Sequence, residues 1–295
     1  MGKNMIVGSD WWTDCDDAVA MRLFVRAHKA GKINLLGVNI DACAQESVPS
    51  LDAFLTAEGM PGMPIGIDLA ATDEKVKLTY QKRLAAMEGP LRSNEEALNG
   101  VSLYRKLIAE ADGPVDIAEI GFEQVLADLL DSQPDEYSPL TGRELIDENV
   151  GTLWLMAGKW DEEGGKEYNI ACSARSCTAA AHICECWPSR IVYLGFEVGV
   201  SVITGDELDA GDMLKTAMVD WGTDKGRSSW DPMLAELSIM DDISSAGYDL
   251  VCGYASVDAA DGSNFFRRDE KGPHGYVVKK LSDGEYAARI NAKIR

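Results

Sequence analysis

The sequence lacks the features that mark membrane-spanning, secreted or nucleic-acid-binding proteins. No run of about 18 apolar residues occurs in its 295 positions, and its first residues carry no long apolar segment. These absences predict a soluble, cytoplasmic protein. Basic residues are also scarce, since 28 Lys and Arg stand against 49 Asp and Glu, for a net charge of −21. Because so acidic a surface repels phosphate backbones and anionic lipids, we expect no nucleic-acid polymer and no membrane among its partners.

Cysteine pairs with the spacing of a zinc site are missing as well, since no Cys-x2-Cys occurs. Seven cysteines, an odd number in a chain large enough to fold without disulfides, predict reduced thiols. Four of them lie around His182, namely Cys172, Cys177, Cys184 and Cys186. Because this segment has the alanine-rich texture of a buried helix, we expect packed thiols there rather than a metal site.

Aspartate, in contrast, is concentrated in one short stretch, Gly8–Ala18. Four aspartates fall within eight residues: Asp10, Asp14, Asp16 and Asp17. An apolar run precedes them and a helical pattern follows, which places them at the carboxyl end of a strand, where open α/β sheets build their sites. Grouped carboxylates repel one another, and all-oxygen ligands favour a hard cation such as Ca²⁺ or Mg²⁺. The helix dipole alone would account for one or two of these aspartates, so the stretch predicts a metal site.

Short apolar runs alternate with amphipathic helical stretches along the whole chain. The candidate strands are Met5–Val7, Ile33–Ile40, Pro64–Ile67, Val115–Ile120, Thr152–Met156 and Ile191–Leu194. One helical stretch, Ser93–Ala111, opens with Ser93 and Glu96 at the spacing of a capping box. This alternation predicts an α/β fold with an open, mostly parallel sheet and helices on both faces. No linker or repeat divides the chain, so residues 1–295 are expected to form one domain.

Three further segments have the composition of a site. Ile120-Gly121 closes a strand with a glycine that allows close backbone approach. The pair Glu167 and Asn169 could hold two neighbouring hydroxyl groups, or could equally belong to an exposed polar loop. Asp231 precedes Pro232 at the start of a helical run, where an N-cap is the ordinary explanation.

Taken together, these segments resemble the inosine-uridine nucleoside hydrolase family. That family opens with an aspartate-rich strand-to-helix turn, which reads SDWWTDCDDA here. Its Met-Gly-Gly, Glu-Phe-Asn and His-Asp-Pro motifs correspond to Met156-Ala157-Gly158, Glu167-Tyr168-Asn169 and Trp230-Asp231-Pro232. The motifs occur in the family's order and at about its spacing, so the resemblance covers nearly the whole chain.

The resemblance implies a Rossmann-like nucleoside hydrolase fold and a Ca²⁺-dependent hydrolase that cleaves the N-glycosidic bond of a nucleoside or related ribosyl compound. Asp10 would be both a calcium ligand and the base that takes a proton from the attacking water. The other calcium ligands would be Asp17, Asp231 and the backbone carbonyl of Ile120. The ribose hydroxyls would be held by Asp16, Met156, Glu167 and Asn169. The family commonly forms dimers or tetramers, so a homo-oligomer is expected.

The sequence departs from the family pattern at three places. Gly8 replaces the first aspartate of the turn, and the turn is two residues longer, which leaves Asp14 without a counterpart. We expect Asp14 on the substrate side, with the division of roles among the turn aspartates open. The family's asparagine after the second strand has Asn39, or Asp41, as its nearest substitute.

The third departure concerns the leaving base. Trp230 stands where many members have a histidine that protonates this base. An indole donates one hydrogen bond but is no general acid near neutral pH, so we expect Trp230 and Trp12 to line the base pocket. Trp11 could stack in the same way, and core packing explains any one tryptophan about as well. The acid stays open among Asp14, a tyrosine and a base that leaves unaided, and the loop residue His274 is a weaker candidate.

Two other functions compete with a nucleosidase. A catalytically impaired nucleoside- or ribose-binding protein would keep the metal and sugar site without turnover. A phosphatase of the Asp-x-Asp-x-Thr type is disfavoured, because Trp12 occupies the position of the second aspartate and no basic phosphate cradle follows.

Overall fold

The computed structural model describes residues 2–11, 14–72 and 79–295. Its strands are β1 (Lys3–Ser9), β2 (Ile33–Ile40), β3 (Ile65–Ile67), β4 (Leu98–Asn99), β5 (Val115–Glu119), β6 (Val150–Met156), β7 (Arg190–Leu194), β8 (Ile203–Thr204), β9 (Arg227–Ser228), β10 (Tyr248–Val257), β11 (Asn264–Arg268) and β12 (His274–Lys279). Its helices are α1 (Asp16–Lys29), α2 (Ser47–Ala57), α3 (Gln81–Ala85), α4 (Gly100–Glu110), α5 (Gln124–Asp131), α6 (Gly142–Asn149), α7 (Tyr168–Ala171), α8 (Ala174–Cys186), α9 (Phe196–Gly199), α10 (Met213–Trp221), α11 (Trp230–Met240) and α12 (Asp283–Ile294).

Ten of these strands form one sheet in the order β11-β10-β12-β7-β6-β5-β1-β2-β3-β4. All neighbours from β12 to β4 are parallel, and β10 runs antiparallel to both β11 and β12. The predicted α/β class with a mostly parallel sheet is therefore confirmed. The chain order reverses between β1 and β5, and the carboxyl ends of strands at such a reversal are where open α/β sheets place their sites.

Apolar side chains fill both faces of the sheet, because alternate residues of a strand point in opposite directions. Met5 and Val7 of β1 belong to one buried cluster, whereas Ile6 between them belongs to the other. The helices cover the two clusters, so the sheet is buried at its centre. None of the helices formed by the described residues is long and apolar enough to cross a membrane.

The predicted helix over Ser93–Ala111 is wrong at its start. A single 3₁₀ turn, Asn94–Glu96, and strand β4 come first, and α4 begins only at Gly100. Its N-cap is Asn99, whose side chain accepts hydrogen bonds from the backbone of Val101 at 3.0 Å and Ser102 at 3.4 Å. An asparagine that satisfies two free N–H groups at the helix start outcompetes the weaker capping box upstream.

All seven cysteines are free thiols, as predicted. Cys177 and Cys184 are buried, while Cys172 and Cys186 at the ends of their segment are partly exposed. The segment around them is the helix α8, which packs against α5 and β10.

Candidate active site

Carboxylates from both ends of the chain meet at the carboxyl edge of the sheet. Asp16 and Asp17 form the first turn of α1, and Asp231 lies in the first turn of α11, which packs against α1. One oxygen of each carboxylate lies within 4.8 Å of one of each of the others, and all three side chains are buried. Asp231 is not the N-cap that its Asp-Pro sequence suggested, because Ser229 holds that position. Its backbone N–H donates to Asp16 Oδ2 at 3.2 Å.

A cavity of about 280 Å³ opens above this cluster. Asp10 and Asp14 complete its acidic side. The predicted residues Ile120, Met156, Glu167, Asn169 and Trp230 also line it, so the structure brings together most of the residues singled out from the sequence. The three-carboxylate group contains Asp16 rather than Asp10, which leaves the division of metal and sugar roles between these two a prediction.

Burial makes the cluster costly to ionise in the absence of a cation. The pKa values of Asp16, Asp17 and Asp231 are all raised, first by burial and then by the neighbouring carboxylates. Hydrogen bonds offset this only in part: Asp17 Oδ1 accepts from the Ser9 hydroxyl at 2.5 Å and from the Trp11 N–H at 3.2 Å. A bound divalent ion would compensate the remaining charge, and an all-oxygen donor set suits a hard one.

The pair Glu167 and Asn169 lies in the cavity wall rather than in an exposed loop. Glu167 caps α7, and its carboxylate accepts from the backbone N–H groups of Asn169 at 2.8 Å and Gly158 at 3.2 Å. The Asn169 amide donates to the Met156 carbonyl at 2.9 Å and lies 3.4 Å from that of Ile120. Burial raises the pKa of Glu167 to about 7. Both side chains are thus fixed before any ligand arrives.

Asn39 does not line the cavity and is fully buried beneath it. Its amide donates to Asp41 Oδ1 at 2.5 Å, and Asp41 lies against Glu119. This placement gives Asn39 no direct contact with a ligand in the cavity. A polar layer of Asn39, Asp41 and Glu119 instead supports the floor of the site.

Glu119 was not found by sequence reasoning, although Gly8 was a signal for it. Residues 8 and 119 are partners in the β1–β5 register, and a Cβ at position 8 would collide with the Glu119 carboxylate. The carboxylate accepts from the Gly121 N–H at 2.9 Å and from the Tyr104 hydroxyl at 3.4 Å. The Glu119 carboxylate therefore lies directly beside Gly8.

Arg227 was also missed, and it is the one cationic side chain among the described residues that line the cavity. Its Nε lies 3.0 and 2.9 Å from the two oxygens of Asp14, and its Nη2 lies 2.5 Å from Asp14 Oδ2. The guanidinium also lies over the rings of Trp221 at 4.6 Å and Trp230 at 5.1 Å. Asp14, the extra acid of the lengthened turn, is thus held in an ion pair.

Trp230 lines the cavity as predicted, but its indole N–H is already used. It donates to the Phe196 carbonyl at 2.8 Å, while the ring stacks on Phe196 with centroids 5.4 Å apart. Trp11, in contrast, is a core residue: it is fully buried, and its indole N–H donates to Ser50 Oγ at 2.9 Å. Trp12 lies outside the described residues.

None of the three histidines is on the described cavity lining. His274, expected in a loop, begins strand β12, where it is buried and accepts a hydrogen bond from the Ala255 N–H at 2.9 Å. His28 accepts from the Leu35 N–H, and His182 pairs with Asp131. A histidine acid for the leaving group is therefore absent from the described part of the cavity.

No protein-family model matches the chain, and no curated protein matches it. Among solved structures it is similar to a purine-preferring ribonucleoside hydrolase from Gardnerella vaginalis, with a TM-score of 0.75, 14% identity, and coverage of 99% of this chain and 98% of that one. An inosine-uridine preferring nucleoside hydrolase from Bacillus anthracis aligns with a TM-score of 0.68 and 14% identity over 99% of this chain and 100% of the other.

The chain has the nucleoside hydrolase fold. A third similar structure is the type III effector protein XopQ complexed with adenosine diphosphate ribose, with a TM-score of 0.63, 12% identity, and coverage of 100% of this chain and 94% of that one. At identities this low the likeness establishes the fold, so the chemistry of the site has to carry the function.

Proposed function

We propose that the protein is a Ca²⁺-dependent hydrolase that cleaves the N-glycosidic bond of a nucleoside or related ribosyl compound. The observation that carries this proposal is the meeting of Asp16, Asp17 and Asp231, whose carboxylate oxygens lie within 4.8 Å of one another on a single cavity. The same cavity holds Glu167 and Asn169, which together offer an acceptor and a donor to neighbouring hydroxyls.

The residues present fit a hard divalent cation. Asp10, Asp17, Asp231 and the carbonyl of Ile120 would hold it, and all four offer oxygen, the ligand that Ca²⁺ prefers. When bound, the ion would supply the positive charge that lowers the pKa of a water molecule and grips ribose hydroxyls. The family resemblance assigns Asp16 to a ribose hydroxyl, and its carboxylate lies close enough to Asp17 and Asp231 to contact the same ion.

The chain's own residues then perform the reaction. Asp10 accepts the proton of the attacking water, a contribution typically worth ~10²–10⁴-fold in rate. Glu167 and Asn169 orient the sugar, and their hydrogen bonds tighten as positive charge develops on the ring. Because backbone contacts already fix both side chains, little ordering is needed when the substrate binds.

A second candidate is a ribosyl-binding protein without turnover. Two observations favour it: the indole N–H of Trp230 is bonded to the Phe196 carbonyl, and the similar protein XopQ was solved in complex with adenosine diphosphate ribose. The metal and ribose site would be the same in both candidates, so only turnover separates them.

Release of reducing sugar from a panel of nucleosides, with and without EDTA, tests the proposal. We expect release that EDTA abolishes and Ca²⁺ restores. Asp10→Ala should remove turnover, whereas Asp261→Ala, a change at an exposed aspartate, should not. Ligand binding without any sugar release in the wild type would favour the binding protein, and release unaffected by EDTA would contradict the metal assignment.

A further inference from the structure

We propose that Arg227 stabilises the leaving group, which departs as an anion instead of being protonated by a side chain. This inference rests on the proposed N-glycosidic cleavage. It assigns to Arg227 the assistance to the leaving group for which the cavity lining offers no histidine among the described residues. It also defines the substrate class: ribosyl compounds whose planar leaving group carries negative charge on an oxygen or nitrogen edge when the bond breaks.

Few of the described residues that line the cavity can donate a hydrogen bond to a leaving group. Trp230 cannot donate its indole N–H to a ligand while it bonds the Phe196 carbonyl. Asp14 is engaged by Arg227 through both carboxylate oxygens. Tyr168 also lines the cavity, but its hydroxyl is a neutral donor. Arg227 is the one cationic donor among the described lining residues, and a guanidinium stays charged throughout the accessible pH range.

The guanidinium of Arg227 is held in place with one edge left over for a ligand. Its Nε and Nη2 donate hydrogen bonds to Asp14, whereas Nη1 has no hydrogen-bond partner within the described part of the chain. The guanidinium of Arg227 lies over the indole rings of Trp221 and Trp230, which fix its orientation. The Arg227 side chain is 30% exposed. A cation that is held in place while one edge still faces the cavity needs no reorganisation when charge appears on a ligand.

The cavity wall around Arg227 is aromatic. Phe196 stacks on Trp230, and Tyr168 also lines the cavity. Aromatic faces suit a flat ring, so the arginine would meet the edge of a ring that these faces hold. This favours the leaving group over a phosphate on the sugar as the site of negative charge.

The chemical step balances without an additional acid. The bond between the anomeric carbon and the leaving atom breaks, and its electron pair goes to the leaving atom. The oxygen of water bonds to the anomeric carbon, and the water proton passes to Asp10. Arg227 donates a hydrogen bond to the anion, which takes a proton from solvent after it leaves the cavity.

A series of aryl ribosides tests this role, because their phenolate leaving groups share one planar ring and span a wide range of basicity. We expect wild-type kcat/KM to depend weakly on phenolate basicity. Arg227→Gln should steepen that dependence, with a loss of about 10²–10³-fold in kcat for the most basic phenolate, the size found when one preorganised oxyanion donor is removed. The loss should be far smaller for 4-nitrophenolate, and KM should change little.

Two further variants serve as controls. Asp14→Asn/Arg227→Gln removes the carboxylate that the single change leaves unpaired, and we expect the same steep dependence from it. Arg267→Gln changes an exposed arginine that lies over the ring of Tyr254 at 4.2 Å, outside this cavity, and should behave as wild type.

The outcomes are distinguishable. A wild-type protein that cleaves no riboside contradicts the proposed function itself. A wild-type protein that cleaves them, with an unchanged dependence on basicity in Arg227→Gln, contradicts only the role of Arg227. A loss confined to 5′-phosphorylated ribosides would move the arginine to the sugar phosphate and overturn the leaving-group assignment.

Discussion

Glu123 is an acidic residue buried in the protein interior. Neither of its carboxylate oxygens has a hydrogen-bond partner among the described residues, and the side chain is 1% exposed. Burial, with smaller contributions from Glu119 and Glu167, raises the pKa of Glu123 to about 8. The folded protein therefore binds a proton at Glu123 that the unfolded chain releases near pH 4.5. Its contribution to stability is full below pH 4.5 and is lost as the pH rises to 8.

Glu123→Gln should remove this pH dependence, since the amide stays neutral. We expect the free energy of unfolding of the wild type, relative to the variant, to fall between pH 5 and pH 8 by at most about 1.4 kcal/mol per pH unit. Urea unfolding at several pH values measures it, with Glu163→Gln at an exposed position as control. Parallel stability curves for wild type and Glu123→Gln would contradict the assignment.

The effects of mutations at Gly8 and Glu119 on stability should be coupled, because a side chain at position 8 would overlap the Glu119 carboxylate. Gly8→Ala should cost about 1–3 kcal/mol of stability by overpacking a close contact. In a Glu119→Ala background, the same change should cost much less. A double-mutant cycle in urea measures this coupling, and additive effects would show that the two positions do not compete.

At the scale of elements, the lengthened β1–α1 turn is held by contacts from distant parts of the chain. Trp11 has φ of 53°, a left-handed conformation that is strained for a large side chain. Its indole N–H reaches Ser50 on α2, and its carbonyl accepts from the Gln81 side chain at 2.9 Å. The Tyr80 hydroxyl donates to the Asp14 carbonyl at 2.8 Å. These contacts hold Asp14 and Trp11 in place, the latter in a local conformation that is unfavourable for its side chain.

Ser50→Ala should therefore destabilise the protein, because it removes the acceptor that holds Trp11. The change leaves the indole N–H of Trp11 buried without its Ser50 acceptor, a loss of about 1–3 kcal/mol in the free energy of unfolding. Ser244→Ala at an exposed position should stay within about 0.5 kcal/mol of wild type. Chemical denaturation of the two variants compares them directly, and equal stability would mean that packing against Phe54 and Tyr80 alone holds Trp11.

The elements that were predictable from sequence are the buried parallel strands. Strand β2 agrees at both ends with the predicted strand Ile33–Ile40, because a parallel strand covered on both faces is mostly apolar. Strands β10, β11 and β12 were not predicted. β12 begins beside Gly272 and Pro273, which are turn-forming residues, and its extended form depends on pairing with β7 and β10. Local sequence carries no signal for such distant pairing.

At the scale of the whole molecule, the candidate site also combines residues that have a local sequence signal with residues that depend on distant contacts. The acidic stretch marked the first turn of α1, because four carboxylates so close together are unusual in any local structure. Arg227 carried no such signal, since its meaning comes from Asp14, which lies 213 positions away in the chain. The expected homo-oligomer and the one-domain organisation stay predictions.

Calcium titration tests the central claim most directly, namely that acids from both ends of the chain hold one divalent ion. We expect calorimetry to show one Ca²⁺ per chain, lost in Asp17→Asn and in Asp231→Asn and kept in the control Asp261→Asn at an exposed aspartate. Because the net charge of −21 attracts cations weakly everywhere, the salt concentration should be near physiological. Undiminished stoichiometric binding in both Asp17→Asn and Asp231→Asn would contradict the claim.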